Sequence, residues 1–287
     1  MPPALEPAAH RELLQSFLQE DIGAADITSE SVIPAGQRGC GTLLAKAPLV
    51  LAGIDLFAEV FRLLDPAAHT EILHHDGEQI WPGQTPARVH ALARALLSGE
   101  RVALNLLQRL SGVATLTRRF VEAVEGTGAQ ILDTRKTTPG LRALEKYAVR
   151  VAGGVNHRKD LAEAVLIKDN HVRLGGGVSA ALSAAQSARG RAAWIEIEVT
   201  GLDELRIALR GNPDVILLDN MSPALVGEAV RFVRALDRER RIRIEASGGI
   251  TLENVRQYAE ADVDWISIGA LTHSAPSVDL SLEIEPA

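Results

Sequence analysis

Five short apolar segments recur through the second half of this chain of 287 residues, at 164–167, 194–197, 215–218, 242–244 and 265–268. Steps of roughly 20–30 residues leave room for one amphipathic helix and two short loops between strands, so consecutive strands must run parallel. Each segment leads into a polar residue or glycine: Lys168, Glu198, Asp219, Ser247–Gly248–Gly249 and Gly269. A doubly wound sheet gathers its ligand contacts at one switch point. Polar groups at the carboxyl end of every strand instead predict a (β/α) barrel whose rim forms a site.

The first third reads differently. Apolar spacing predicts helices at 10–19 and 54–64, and strands at 40–47, 49–52, 70–74 and 87–95, with turns at Asp76–Gly77 and Trp81–Pro82–Gly83. This is a small α+β domain over residues 1–97. Ser98 is placed to cap a long helix that Gly126–Thr127–Gly128 stops. The barrel domain then occupies 98–274. Strict alternation at 278–284 predicts a strand, and the tail 275–287 is expected to rejoin the first domain's sheet.

Composition narrows the functional classes. The formal charge of −7 disfavours a general nucleic-acid binder. A single cysteine, Cys40, excludes an intrachain disulfide framework and fits a reducing compartment; its strand position reads as core. Residues 1–7 lack the pattern of a secretory leader, and no apolar run approaches the roughly 20 residues that span a bilayer. The expectation is a cytoplasmic protein with neither membrane nor nucleic-acid partners.

Against that acidic background, residues 131–173 hold nine Lys and Arg but five Asp and Glu. The cations cluster in three runs: Asp133–Thr134–Arg135–Lys136–Thr137–Thr138–Pro139–Gly140–Leu141–Arg142, Gly153–Gly154–Val155–Asn156–His157–Arg158–Lys159, and Ile167–Lys168–Asp169–Asn170–His171. Arg offers a planar fork for carboxylates, and Lys a point charge for phosphate. One such run is readily a solvated loop. Three of them together point to a small, highly anionic ligand.

The acids complement them. Glu196 and Glu198 share one strand face, which is costly in apolar surroundings unless a cation or water receives them. Glu198 with Asp219 suits either Mg²⁺ or sugar hydroxyls. Ser247–Gly248–Gly249 precedes a helix expected near Thr251 and can cradle phosphate, with Gly269–Ala270 as the neighbouring loop. His74–His75 reads as a surface hairpin, and 175–177 as a plain loop.

Together these motifs resemble the quinolinate phosphoribosyltransferase family. The likeness also includes Glu20–Asp21–Ile22–Gly23, Glu100–Arg101–Val102–Ala103–Leu104–Asn105 and Leu218–Asp219–Asn220, and covers nearly the whole chain. It implies an N-terminal α/β sandwich, an incomplete (β/α) barrel, a homodimer, Mg²⁺, and two substrates, quinolinate and 5-phosphoribosyl-1-pyrophosphate. By position, Arg135, His157 and Arg158 resemble the dicarboxylate pocket, with Thr134 and Thr137 beside them. Lys136 and Lys168 resemble lysines at the pyrophosphate and reacting centre. Glu198 and Asp219 resemble acids addressing ribose and metal. Ser247, Gly248, Gly249, Gly269 and Ala270 resemble the 5-phosphate cradle. Arg101 resembles an arginine entering the partner's site.

Two alternatives keep part of this pattern. A relative acting on another substrate, such as a nicotinate-using enzyme or one encoded beside molybdate-transport genes, would need fewer cations than Arg135, His157 and Arg158 supply. A non-catalytic phosphate-ligand binder would keep Ser247–Gly248–Gly249 without needing Lys136, Lys168, Glu198 and Asp219.

Overall fold

The computed structural model describes residues 5–287; the first four positions of the 1–7 segment lie outside the described residues. In chain order the elements are α1 (Arg11–Ile22), α2 (Ile27–Val32), β1 (Arg38–Ala45), β2 (Leu49–Val50), α3 (Ile54–Leu64), β3 (His69–Ile72), β4 (Gln79–Ile80), β5 (Ala87–Leu92) and α4 (Ala93–Ala123). There follow β6 (Gln130–Leu132), α5 (Arg142–Val151), β7 (Val165–Ile167), α6 (Asp169–Leu174), α7 (Val178–Ala185), β8 (Ile195–Val199) and α8 (Leu202–Arg210). The last are β9 (Val215–Asp219), α9 (Pro223–Leu236), β10 (Arg243–Ser247), α10 (Val255–Glu260), β11 (Trp265–Ser267), α11 (Ala270–His273) and β12 (Leu280–Pro286).

The chain forms two compact units. The first contains residues up to Arg118, with Leu144–Ala152 and Ala275–Ala287; the second contains Arg119–Ala143 and Gly153–Ser274. The first unit is built on an antiparallel sheet in the order β12-β1-β5-β3. The alternation at the tail thus forms β12, which pairs with β1 from Gly39↔Pro286 to Ala45↔Leu280. Helix α3 buries Ile54, Phe57, Val60 and Phe61, and the two phenylalanine rings meet edge-on at 5.1 Å. Asp76 accepts from the amides of Gly53 (2.8 Å) and Ile54 (3.1 Å), satisfying donors that the start of α3 leaves open.

The second unit is a six-stranded parallel sheet in the order β6-β11-β10-β9-β8-β7. Strands β7 to β11 follow one another around the sheet, and β6 closes onto β11. The ring stays open between β6 and β7, so the barrel is incomplete. On its open side β6 takes a single parallel bridge, Leu132↔Val155. Val155 donates to Ile131 O (2.8 Å) and Asp133 donates to Val155 O (3.2 Å), which pins the segment after Gly153–Gly154 along the seam. Among the described residues, no helix is long and apolar enough to cross a membrane.

Several local expectations change, among them the helix expected near Thr251, which begins at Val255. The long helix starts at Ala93, five residues before Ser98, whose hydroxyl donates to Asp26 Oδ2 (2.8 Å) instead of capping α4. Asp26 itself caps α2, a short helix that the apolar spacing did not reveal, accepting from Ser29 N (2.9 Å). Cys40 does lie on a strand, yet it is half-buried with Sγ 3.9 Å from His90 Nε2, and so is no core residue.

Helix α4 comes very close to the tail at Gly112, where an added Cβ would lie 2.1 Å from Pro276 O. Gly112→Ala is therefore expected to lower the unfolding free energy by about 1–3 kcal/mol, as overpacking does, measured by urea denaturation. An unchanged midpoint would show that the Pro276 backbone can yield.

Candidate active site

The carboxyl ends of the parallel strands surround a cavity of about 310 Å³, lined among others by Arg135, Lys136, Arg158, Lys168, Glu198 and Asp219. Thr134, His157, Leu166, Leu217, Glu245, Ser247 and Ser267 complete its wall. Residues from all three cationic runs thus meet in one space, within the second unit.

Two arginines define the cationic side. Arg158 is buried, and its Nη1 donates to Ala164 O (2.8 Å). Burial and the adjacent charge of Arg135 both hold its pKa below the usual arginine value. Arg135 Nε is buried and has no acceptor. Two neighbouring guanidinium groups, one with an unsatisfied donor, form a receptor for a planar anion. Lys136 folds over Gly269, where an added Cβ would stand 3.0 Å from its Cδ, and Thr272 Oγ1 donates to its carbonyl (2.8 Å).

The acidic side lies on β8 and β9. Glu198 is 3.4 Å from Lys168 Nζ. Burial raises the Glu198 pKa, with Asp219 and Asp169 adding to the rise and Lys168 opposing it. Asp219 ends β9 and accepts from Asn220 Nδ2 (2.6 Å). These hard carboxylate oxygens, with no sulfur donor beside them, fit a divalent cation of the Mg²⁺ type. Ser247 ends β10, followed by Gly248 (φ 91°) and Gly249 (φ 62°), a backbone course that favours glycine.

Below the arginines, His157 is buried between two acids. Its Nε2 lies 3.1 Å from Glu196 and 3.5 Å from Glu245, and its Nδ1 accepts from Arg158 N (2.8 Å). Trp194 and Trp265 pack edge-on against the ring at 5.6 and 6.4 Å. Burial disfavours charge on the imidazole, but the bonds and charges of Glu196 and Glu245 outweigh it and push the pKa up to about 10. Protonating Nδ1 would exchange the Arg158 amide bond for a better charge balance. Full burial, together with the charge of Glu196, raises the pKa of Glu245.

Residues 26–111 match the N-terminal domain of quinolinate phosphoribosyl transferase, and residues 113–283 match its C-terminal domain. The chain belongs to the quinolinate phosphoribosyl transferase family. It is 43% identical to a probable nicotinate-nucleotide pyrophosphorylase (carboxylating) of Bacillus subtilis, over 96% of this chain and 93% of that protein. The nicotinate-nucleotide pyrophosphorylase (carboxylating) of Mycobacterium leprae is 42% identical over 96% of this chain and 97% of its own. The crystal structure of NadC from Streptococcus pyogenes superposes with a TM-score of 0.92 at 36% identity, covering 99% of both chains.

For this quinolinate phosphoribosyl transferase family member, four residues that had been given no site role also shape the site. Asp133 is fully buried and holds Asn156 Nδ2 (2.5 Å) and His157 N (2.9 Å), fixing the seam segment that presents Arg158. Its signal was a carboxylate directly after an apolar strand. Arg142 donates to Thr137 Oγ1 (2.9 Å) and Lys159 O (3.2 Å), joining two cationic runs. Glu196 and Glu245 sit mid-strand in sequence, where the period-two pattern signalled Glu196 and nothing signalled Glu245. Arg101 is exposed on α4 in the first unit.

His157 retains a proton in the folded chain that the unfolded chain releases above about pH 6.5. That stabilisation is present at low pH and lost as pH rises through about 10. The thermal midpoint is expected to fall between pH 7 and 10. Glu245→Gln, which keeps the volume and cannot ionise, should make that fall shallower. An equal slope in the variant would remove Glu245 from the proton balance.

Proposed function

We propose that this protein transfers phosphoribosyl from 5-phosphoribosyl-1-pyrophosphate to quinolinate with decarboxylation, yielding nicotinate mononucleotide, pyrophosphate and carbon dioxide for NAD synthesis. The adjacent Arg135 and Arg158, two cations on the wall of one cavity, support this reading best. A dicarboxylate offsets that repulsion better than a monocarboxylate does.

In this reading Arg135 and Arg158, with His157 beside them, hold the two carboxylates; Thr134 shapes the same wall, and Thr137 accepts from Arg142 behind it. Lys136 and Lys168 take the pyrophosphate and the charge that develops as it leaves. Glu198 and Asp219 face the ribose, where they stabilise positive character at the anomeric carbon. Ser247, Gly248, Gly249, Gly269 and Ala270 receive the 5-phosphate. The pyridine nitrogen bonds to the anomeric carbon while the bond to pyrophosphate breaks. The nitrogen, now cationic, draws in the electron pair left when the 2-carboxylate departs as carbon dioxide, and that ring carbon then takes a proton. The chain supplies placement and electrostatics, with no covalent intermediate on the protein. Glu198 and Asp219 would hold Mg²⁺, which when bound supplies charge neutralisation for the pyrophosphate oxygens.

The proposal extends to assembly. The protein acts as a homodimer in which Arg101 enters the partner's site, in the cytoplasm, where the single Cys40 stays reduced.

Incubation with quinolinate, 5-phosphoribosyl-1-pyrophosphate and Mg²⁺ should release carbon dioxide and pyrophosphate in equal amounts. Binding without turnover would instead support a phosphate-ligand binder, and turnover of nicotinate a monocarboxylate enzyme. Lys136→Ala should lower turnover by about 100-fold or more with the circular dichroism unchanged; near-normal turnover would take Lys136 out of the chemistry. Mixed and reassembled Arg101→Ala and Lys136→Ala subunits should regain about a quarter of wild-type activity, since half the dimers then hold one intact site. No recovery in proven heterodimers would mean that both residues serve one subunit's site.

A further inference from the structure

Asn220 follows the acid at the end of β9 and belongs to none of the groups assigned to the reaction above. Its backbone is left-handed, with φ 54°. Asn tolerates that region better than most residues, yet a non-glycine residue held there beside a reaction cavity is a constraint with a cause. Three contacts surround it. Nδ2 donates to Asp219 Oδ2 at 2.6 Å, the sole side-chain donor to that carboxylate among the described residues. Its amide donates to Ser247 O at 2.9 Å. Its Oδ1 lies so close to Gly248 that a Cβ there would stand 2.2 Å away, and 2.9 Å from the Asn220 nitrogen.

We propose that Asn220 is a positioning residue, a latch that aims the Asp219 carboxylate and locks it to the Ser247–Gly248–Gly249 turn. The two loops then meet the phosphoribosyl donor as one preorganised surface, ribose on one side and 5-phosphate on the other. This rests on the substrate reading given above.

The loop does not need the Asn220 side chain in order to fold. Ser247 and Asp219 are already paired between β10 and β9. Met221 is buried, and its carbonyl accepts from Tyr258 Oη on α10 at 3.0 Å. Ser222 caps α9 by accepting from Leu225 N. Asn220 itself is exposed, so its side chain adds little burial. What it does supply is a donor of fixed direction, because a left-handed backbone aims Nδ2 at Asp219 while Oδ1 faces the glycine turn. Such an arrangement lowers the cost of ordering two loops on binding.

The latch also accounts for an asymmetry between the two glycines. Gly249 has open space around a would-be Cβ, whereas Gly248 has none. Gly248 is therefore required both by its own φ of 91° and by Asn220.

Asn220→Gly keeps the left-handed backbone and removes the donor. Its affinity for 5-phosphoribosyl-1-pyrophosphate, measured by calorimetry on the full chain, should fall about tenfold, as should the apparent affinity in KM, from loss of a charge-assisted bond. Quinolinate affinity and the thermal midpoint should stay as in wild type. Asn220→Asp keeps the shape but sets a second carboxylate beside Asp219, and should weaken donor binding further. Equal loss of quinolinate and donor binding would make Asn220 a fold element and overturn the latch, as would wild-type donor affinity in both variants. Wild-type protein that binds the donor yet releases no carbon dioxide from quinolinate would sink the function while the binding comparison still judged the latch.

Discussion

Like charges repel most strongly where water is scarce, and this chain gathers Arg135, Arg158, Lys136 and Lys168 around one small cavity. Holding them together before any anion arrives takes a scaffold whose stability comes from elsewhere. Backbone acceptors do part of it: Ala164 O takes Arg158, and Lys159 O takes Arg142. Buried Asp133 does more, by holding the Asn156 side chain and the His157 backbone amide. The positive groups thus keep unspent capacity toward the cavity, which is what an anion receptor requires.

Charge within the cavity is sorted by strand. Cations come from the loop after β6, the seam segment and the end of β7. Acids come from β8, β9 and the middle of β10, and a hydroxyl comes from Ser247 at the end of β10. Lys168 and Glu198, 3.4 Å apart, mark where the two sides join. The open barrel matters here. Because β6 lacks a full strand partner on its outer side, the 153–159 segment can lie in the gap and bring His157 and Arg158 inward.

Much of this was legible in the linear chain. Apolar runs ending in Lys168, Asp219 and Gly269 announced parallel strands with a functional rim, since a strand's end is where its polar groups become accessible. Alternation at 278–284 announced β12, and helix α3 matched its apolar spacing from Ile54 to Leu64. Boundaries were less readable. Ser98 has every local qualification of a cap, yet α4 starts five residues earlier and the Ser98 hydroxyl goes to Asp26, 72 residues back in the chain. Glu245 gave no sign of itself, since an acid inside an apolar strand becomes meaningful only when His157 is known to face it.

Sequence alone determined the βα rhythm, the excess of cations between 131 and 173, and the residue types available at each strand end, because these depend on local pattern and composition. Tertiary structure alone decided which of those groups share a cavity, which acids sit beneath His157, and that Asn220 presses on Gly248. Those outcomes depend on the order β6-β11-β10-β9-β8-β7, which sets residues far apart in the chain side by side. Electrostatic repulsion, burial and steric exclusion act across space, and a linear pattern holds no record of those distances.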